Sequence, residues 1–203
     1  MGPERCAERE KKLRIEPVDD SRVRFHASLI DTSIDEAGNE LIHSLRLSGV
    51  VSLPDLIIRE IDAESVHQPY TACLESVAPM EGLVGLTIGP GYRSKVMALL
   101  GGVKCCSHFL TLALDLAATH TLITFLRMRA KIAFEGRHSP DGAWIGTGLK
   151  MEPRLENACI ALTSESPVIV NAKRYLEATK ASHEQAAETA PIRTRTDPAR
   201  HRP

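Results

Sequence analysis

Arg22-Val23-Arg24-Phe25-His26-Ala27-Ser28-Leu29-Ile30-Asp31 alternates, with Val23, Phe25, Ala27 and Leu29 on one parity and mostly polar residues between them. A period of two belongs to a strand with one buried face. Leu41-Ile42-His43-Ser44-Leu45-Arg46-Leu47-Ser48 alternates again, and the intervening Asp35-Glu36-Ala37-Gly38-Asn39 is turn-forming. The two runs therefore predict an antiparallel hairpin. Asp55–Val66 predicts a third strand through Leu56, Ile57, Ile58 and Ile61.

Downstream the pattern becomes helical. Pro69 suits the first turn of a helix running through Cys73 to Val77, and Pro79 limits it. Leu83–Ile88 is a short apolar run, after which Gly89-Pro90-Gly91 turns the chain into a helix over Tyr92–Leu100, stopped by Gly101-Gly102. Phe109–Leu126 contains Asp115 and His120 as its only ionisable groups and predicts a long helix buried on nearly every side. Gly136–Gly148 reads as a loop, and Ala158–Leu162 with Pro167–Val170 as a returning hairpin. The fold class is α+β: an antiparallel sheet packed on a long buried apolar helix, with shorter helices.

The 203 residues are 43% hydrophobic and 25% charged, enough for one domain with a sizeable core. We expect a flexible N-terminal segment over 1–14, a single α+β domain over 15–180 and a disordered tail over 181–203, because neither end carries an apolar period. A net charge of −1 gives no electrostatic footprint for nucleic acid. Phe109–Leu126 is near the minimum length of a membrane span, but Asp115 would sit near the bilayer centre, so no membrane partner is expected. The N-terminus, with Glu4, Arg5, Glu8, Arg9, Glu10, Lys11 and Lys12, lacks the apolar region of a secretory signal. The expectation is a cytoplasmic protein whose five cysteines are reduced thiols.

Several residue types converge near the ends of the apolar segments. Pairing of the first two strands puts His43 nearly opposite Leu29, with Asp31 a diagonal neighbour on the same face. A carboxylate beside an imidazole fixes one tautomer and raises the basicity of the other nitrogen, so Asp31 and His43 are a candidate catalytic dyad; the alternative is an exposed polar pair at a strand end. Cys106 and His108 follow a glycine turn at a helix start, where a thiol pKa falls, so Cys106 is a candidate nucleophile as well as a simple packing residue. His108, Thr111, Asp115 and Thr119 lie in one line along the helix, facing either a pocket or their own backbone. Cys73, Cys106, His43 and His108 offer the donor types of tetrahedral zinc, but without paired Cys-x-x-Cys spacing, and neither a metal nor a cofactor is expected. Gly89–Lys95 presents a helix N-terminus with Arg93 and Lys95, either an anion site or a tight turn. Tyr92, Arg93, Arg46, Asp115 and Cys73 complete the expected substrate-binding residues.

The ordered set Leu29-Ile30-Asp31, Ile42-His43-Ser44-Leu45-Arg46-Leu47, Pro69 with Cys73, Leu83-Val84-Gly85-Leu86, Gly91-Tyr92-Arg93, Gly101-Gly102 and Cys106-Ser107-His108 resembles a bacterial family known as domain of unknown function 2889, over roughly 22–170. Where that family usually has Gly-Cys-Thr-His-Leu, this chain reads Cys105-Cys106-Ser107-His108-Phe109, and Thr111 stands where an acidic residue is often found. The resemblance implies a bacterial protein encoded among catabolic functions, with no established reaction. The residues suggest a cofactor-independent lyase or hydrolase acting on a small organic substrate, aromatic compounds among the candidates. The alternative is a non-catalytic ligand-binding or assembly module with structural thiols. So apolar a helix also calls for a second covering surface, and a homodimer is the expected source.

Overall fold

In the computed structural model, which describes residues 5–132 and 142–188, four strands form one antiparallel meander in the order β1-β2-β3-β4. They are β1 (Cys6–Asp19), β2 (Arg22–Asp35), β3 (Gly38–Ser52) and β4 (Ile58–His67). Five α-helices are described: α1 (Tyr92–Leu100), α2 (Ser107–Asp115), α3 (Thr119–Lys131), α4 (Ala143–Met151) and α5 (Pro167–Glu188). The class is α+β. Contacts divide the chain into two units at Ile123/Thr124, inside α3, where a single domain was expected.

In the first unit, the odd residues Val23, Phe25, Ala27 and Leu29 of β2 are buried, as their alternation predicts, together with Leu45, Leu47 and Val51 of β3. α2 rests on β2 and β3 through Phe109, Leu112 and Ala113, and Leu116 continues the same face. Tyr92 pins α1 to α2 by donating its hydroxyl to the Ala113 carbonyl, 2.9 Å away. Gly49 lies opposite Phe25, where a Cβ would meet the Glu60 carbonyl and come within 2.8 Å of the Phe25 ring. Only glycine lets the strand carry a fully buried phenyl there.

β1 corrects the reading of 1–14 as flexible, since Cys6–Asp19 pairs along β2. Its charges hid it. An edge strand needs few apolar residues, and charges there discourage pairing with other chains. Two of them are used inward: Arg9 meets Asp31, and Lys11 Nζ lies 2.7 Å from Asp115 Oδ2. The β2–β3 turn is tight, with Asp35 Oδ1 accepting the Ala37 N–H at 2.8 Å and Gly38 at φ +125°.

The apolar helix is less enclosed than its composition suggests. Ser107–Lys131 has the length and hydropathy to cross a membrane, yet only 39% of its most apolar window is buried. Within the first unit it buries one face, which also carries Thr119. A three-residue 3-10 turn, Leu116–Ala118, separates α2 from α3. The segment after Pro69 is two short 3-10 helices, Thr71–Ser76 and Ala78–Leu83.

In the second unit, Leu149, Leu155, Ile169 and Ala172 form a small core. Gly146 brings α4 against α5, since a Cβ there would lie 2.8 Å from the Tyr175 ring. Within the expected loop over Gly136–Gly148, Ala143–Gly148 belongs to α4, and its glycines at 146 and 148 serve helix packing; residues 136–141 lie outside the described residues. The expected hairpin is absent: Ile160–Leu162 is a 3-10 turn, and Pro167 begins α5. Ser166 Oγ accepts the Ile169 N–H at 3.3 Å, so a serine cap and a first-turn proline outweigh the β-branched Val168-Ile169-Val170. α5 runs to Glu188 through the first residues of the expected disordered tail, and 189–203 lie outside the described residues.

Candidate functional site

Register builds the site. Arg9 on β1, Asp31 on β2 and His43 on β3 are direct cross-strand partners, one row across three strands on the inner face of the sheet. The expected register made Asp31 and His43 diagonal. The irregularity after Asp31, where Thr32 pairs with Leu41, puts them directly opposite.

Arg9 grips the Asp31 carboxylate with both arms of its guanidinium, Nε to Oδ1 at 2.6 Å and Nη2 to Oδ2 at 2.8 Å. His43 Nδ1 lies 3.0 Å from the same Oδ2. His108, in the first turn of α2, brings its Nε2 to 3.3 Å from that oxygen. The imidazole rings stand 4.0 Å apart at 35°. Asp31, His43 and His108 keep only 14%, 18% and 17% of their side-chain surface, whereas Arg9 keeps 45%. The Arg9 hydrogen bonds hold the Asp31 carboxyl below its ordinary range against the opposing effect of burial, with Arg9 charge, His108 and His43 adding to the shift.

The thiols occupy a neighbouring but different position. Cys106 caps α2: its Sγ accepts the Phe109 N–H at 3.4 Å, and its own N–H donates to Ser76 Oγ at 3.1 Å. A hydrogen bond from Cys105 and the helix-start N–H groups lower the Cys106 pKa. Cys105 is pushed up by the same pairing and by burial. The Cys73, Cys106, His43 and His108 zinc set does not assemble. Among the described residues, the one group of three or more His, Cys, Asp or Glu with donor atoms all within 4.8 Å of each other is Asp31, His43 and His108.

Other expected site residues lie elsewhere. The buried Tyr92 hydroxyl is committed to Ala113, and burial pushes its pKa up. Arg93 and Lys95 are exposed on α1, whose start is the left-handed Gly91 at φ +80°. Asp115 pairs with Lys11, while Thr111 donates to the Ser107 carbonyl at 2.7 Å, turning back on its own helix. Cys73 sits half-buried in the first 3-10 helix. Arg46 points to the outer sheet face and pairs with Glu64 at 3.2 Å. That face forms a groove of about 430 Å³ lined by Lys12, Arg14, Arg46, Asp62 and Glu64 among others. Its Arg14–Glu16 and Arg46–Glu64 pairs are exposed and mutually satisfied, so the inner-face cluster offers the more reactive chemistry.

Arg9 is the member of the cluster that sequence reasoning missed. Its signal was a basic residue on the parity of Leu13 and Ile15, which only a strand assignment for β1 makes visible.

No curated protein and no solved structure matches the chain. The model of one protein family matches residues 7–122, more than half of the chain and almost the whole first unit. The match begins in β1, earlier than the resemblance in sequence suggested, ends before the second unit, and contains Arg9, Asp31, His43 and His108. The chain therefore belongs to the family described as Protein of unknown function (DUF2889).

Proposed function

We propose that this protein is an enzyme of the lyase or hydrolase kind, acting on a small organic substrate, with the Asp31, His43 and His108 cluster as its proton-transfer centre. The observation that carries the reading is one carboxylate oxygen within 3.0 and 3.3 Å of two imidazoles. Arg9 alone would satisfy Asp31 as an ion pair, so two additional, mostly buried imidazoles beside it exceed what packing requires.

When His43 carries its proton on Nδ1, that N–H donates to Asp31 Oδ2 and leaves the Nε2 lone pair free as a base. His108 is the corresponding acid or polarising donor. The two imidazole rings stand with centroids 4.0 Å apart, close enough for one substrate to meet both. Arg9 fixes the carboxylate and keeps it ionised, which makes it a positioning residue.

The test is a screen of purified protein against small carboxylates, phenolic compounds and acyl thioesters. His43→Ala and His108→Ala should each lower turnover by about 10²–10⁴-fold. Cys106→Ser, which retains a capping side chain, should leave turnover within a few fold, separating this chemistry from a thiolate nucleophile. Turnover that survives both imidazole substitutions would remove the cluster from the reaction. Binding of a screened compound without conversion would favour the ligand-binding alternative.

A further inference from the structure

We propose that Asp31, His43 and His108 bind a divalent late first-row transition-metal ion through Asp31 Oδ2, His43 Nδ1 and His108 Nε2. The inference rests on the cluster being the working centre of the chain, and it identifies what that centre holds.

Donor spacing is the first support. For bonds of about 2.0–2.1 Å, donor atoms around one ion stand about 2.9 Å apart in octahedral and about 3.4 Å apart in tetrahedral geometry. The carboxylate oxygen lies 3.0 and 3.3 Å from the two imidazole nitrogens, within that interval, and all three donor atoms are within 4.8 Å of one another. Donor chemistry is the second. Two imidazole nitrogens and one carboxylate oxygen suit zinc, iron or nickel, and the absence of a thiol from the group disfavours a soft-ion site.

The surroundings supply the third. A ligating carboxylate works best when its orientation is fixed from outside, and Arg9 does so from β1 with hydrogen bonds of 2.6 and 2.8 Å. Two ligands sit opposite each other on adjacent strands, and the third is on the first turn of a helix packed on those strands, so packing sets their separation before an ion arrives. Each ligand keeps between 14% and 18% of its side-chain surface, enough for an ion to reach it. Three protein ligands leave positions for water or substrate, the arrangement of a catalytic site.

Charge and protons balance simply. The imidazoles coordinate as neutral groups, His43 through the Nδ1 that otherwise hydrogen-bonds Asp31 and His108 through the Nε2 that lies 3.3 Å from it, so any proton on those atoms moves to the distal nitrogen or to solvent. With the ion bound, a water on it takes over the proton-accepting role given above to His43.

The experiment is equilibrium dialysis of chelator-stripped full-length protein against zinc, and against cobalt(II) read by its visible spectrum, without substrate. The expected result is one ion per chain at micromolar concentration, a raised melting temperature and a cobalt spectrum lacking thiolate charge-transfer bands. His43→Ala and Asp31→Asn should weaken binding by at least a hundredfold, Arg9→Gln by about 10–100-fold, and Cys105→Ser/Cys106→Ser should not change it. His108→Gln is the variant of choice if His43→Ala does not fold. Binding that survives loss of the imidazoles, or disappears with the thiols, overturns the proposal. So does turnover by chelated protein that still depends on His43, which would leave the proton-transfer reading standing. Stoichiometric zinc lost with His43 supports the site even if no screened compound is converted.

Discussion

The Arg9–Asp31 pair invites a double-mutant cycle, because its two members differ sharply in exposure. Asp31 keeps 14% of its side-chain surface and Arg9 keeps 45%. A fully exposed pair is worth about 0.2–1 kcal/mol, and breaking a fully buried one costs about 3–5 kcal/mol. Bidentate geometry on a mostly buried carboxylate, discounted for solvent around the guanidinium, places the coupling at about 1–2 kcal/mol. Arg9→Gln, Asp31→Asn and the double variant would be unfolded in urea at pH 7 with a chelator present, so that no ion contributes. Far-ultraviolet circular dichroism is the appropriate probe, since the single tryptophan, Trp144, belongs to the second unit. Arg9→Gln should lower stability by about 1–2 kcal/mol, and the double variant should fall short of the sum of the singles by a similar amount. Additive losses, with coupling below about 0.3 kcal/mol, would mean that the pair exists in geometry but not in energy and would remove Arg9 from the positioning role.

Three further outcomes follow from the fold. Gly49→Ala should cost about 1–3 kcal/mol by forcing the Phe25 ring and the Glu60 carbonyl apart, and an unchanged urea midpoint would contradict the close approach at that strand crossing. Asp19 accepts from Arg22 and from both donors of Ser21, which lowers its pKa to about 2, so its contribution is complete above about pH 4 and disappears as pH falls towards 2; melting temperatures of wild type and Asp19→Asn should differ at pH 7 and converge at pH 2. Tyr92→Phe should cost about 0.5–1.5 kcal/mol by removing its hydrogen bond to the Ala113 carbonyl, which still accepts the Leu116 N–H, with turnover unaffected; a selective loss of turnover would return Tyr92 to the site.

The sheet's centre was legible because β2 and β3 have one wet and one dry face, and that alternation is the strongest signal short of tertiary structure. β1 was not, because an edge strand satisfies its inner charges through partners distant in sequence: Asp31 for Arg9 and Asp115 for Lys11. Local pattern contains neither. α5 shows a different failure, in which three β-branched residues argued for a strand while the Ser166-Pro167 cap, equally visible, specified a helix. At the site, strand pairing made Asp31 and His43 readable as same-face neighbours, but their direct opposition and the arrival of His108 were not, since these depend on a strand irregularity and on where α2 lands. Tyr92, Arg46, Arg93, Asp115 and Cys73 have the residue types of a site but not its position. Parity placed Arg46 on the opposite face from His43, a distinction the sequence already contained.

The meander topology also keeps most of the cluster local in the chain. Each strand pairs with its sequence neighbour, and the turns after β1 and β2 are only a few residues long, so the successive hairpins close with little loss of chain entropy. Arg9, Asp31 and His43 all lie in the first three strands, whereas His108 lies 65 residues beyond His43 in the sequence. Strand pairing alone supplies the carboxylate, its arginine and one imidazole, while the second imidazole belongs to a different element. The α2 N-terminus completes the constellation, so the cluster depends on two separable pieces of the fold, the meander and the helix packed on it.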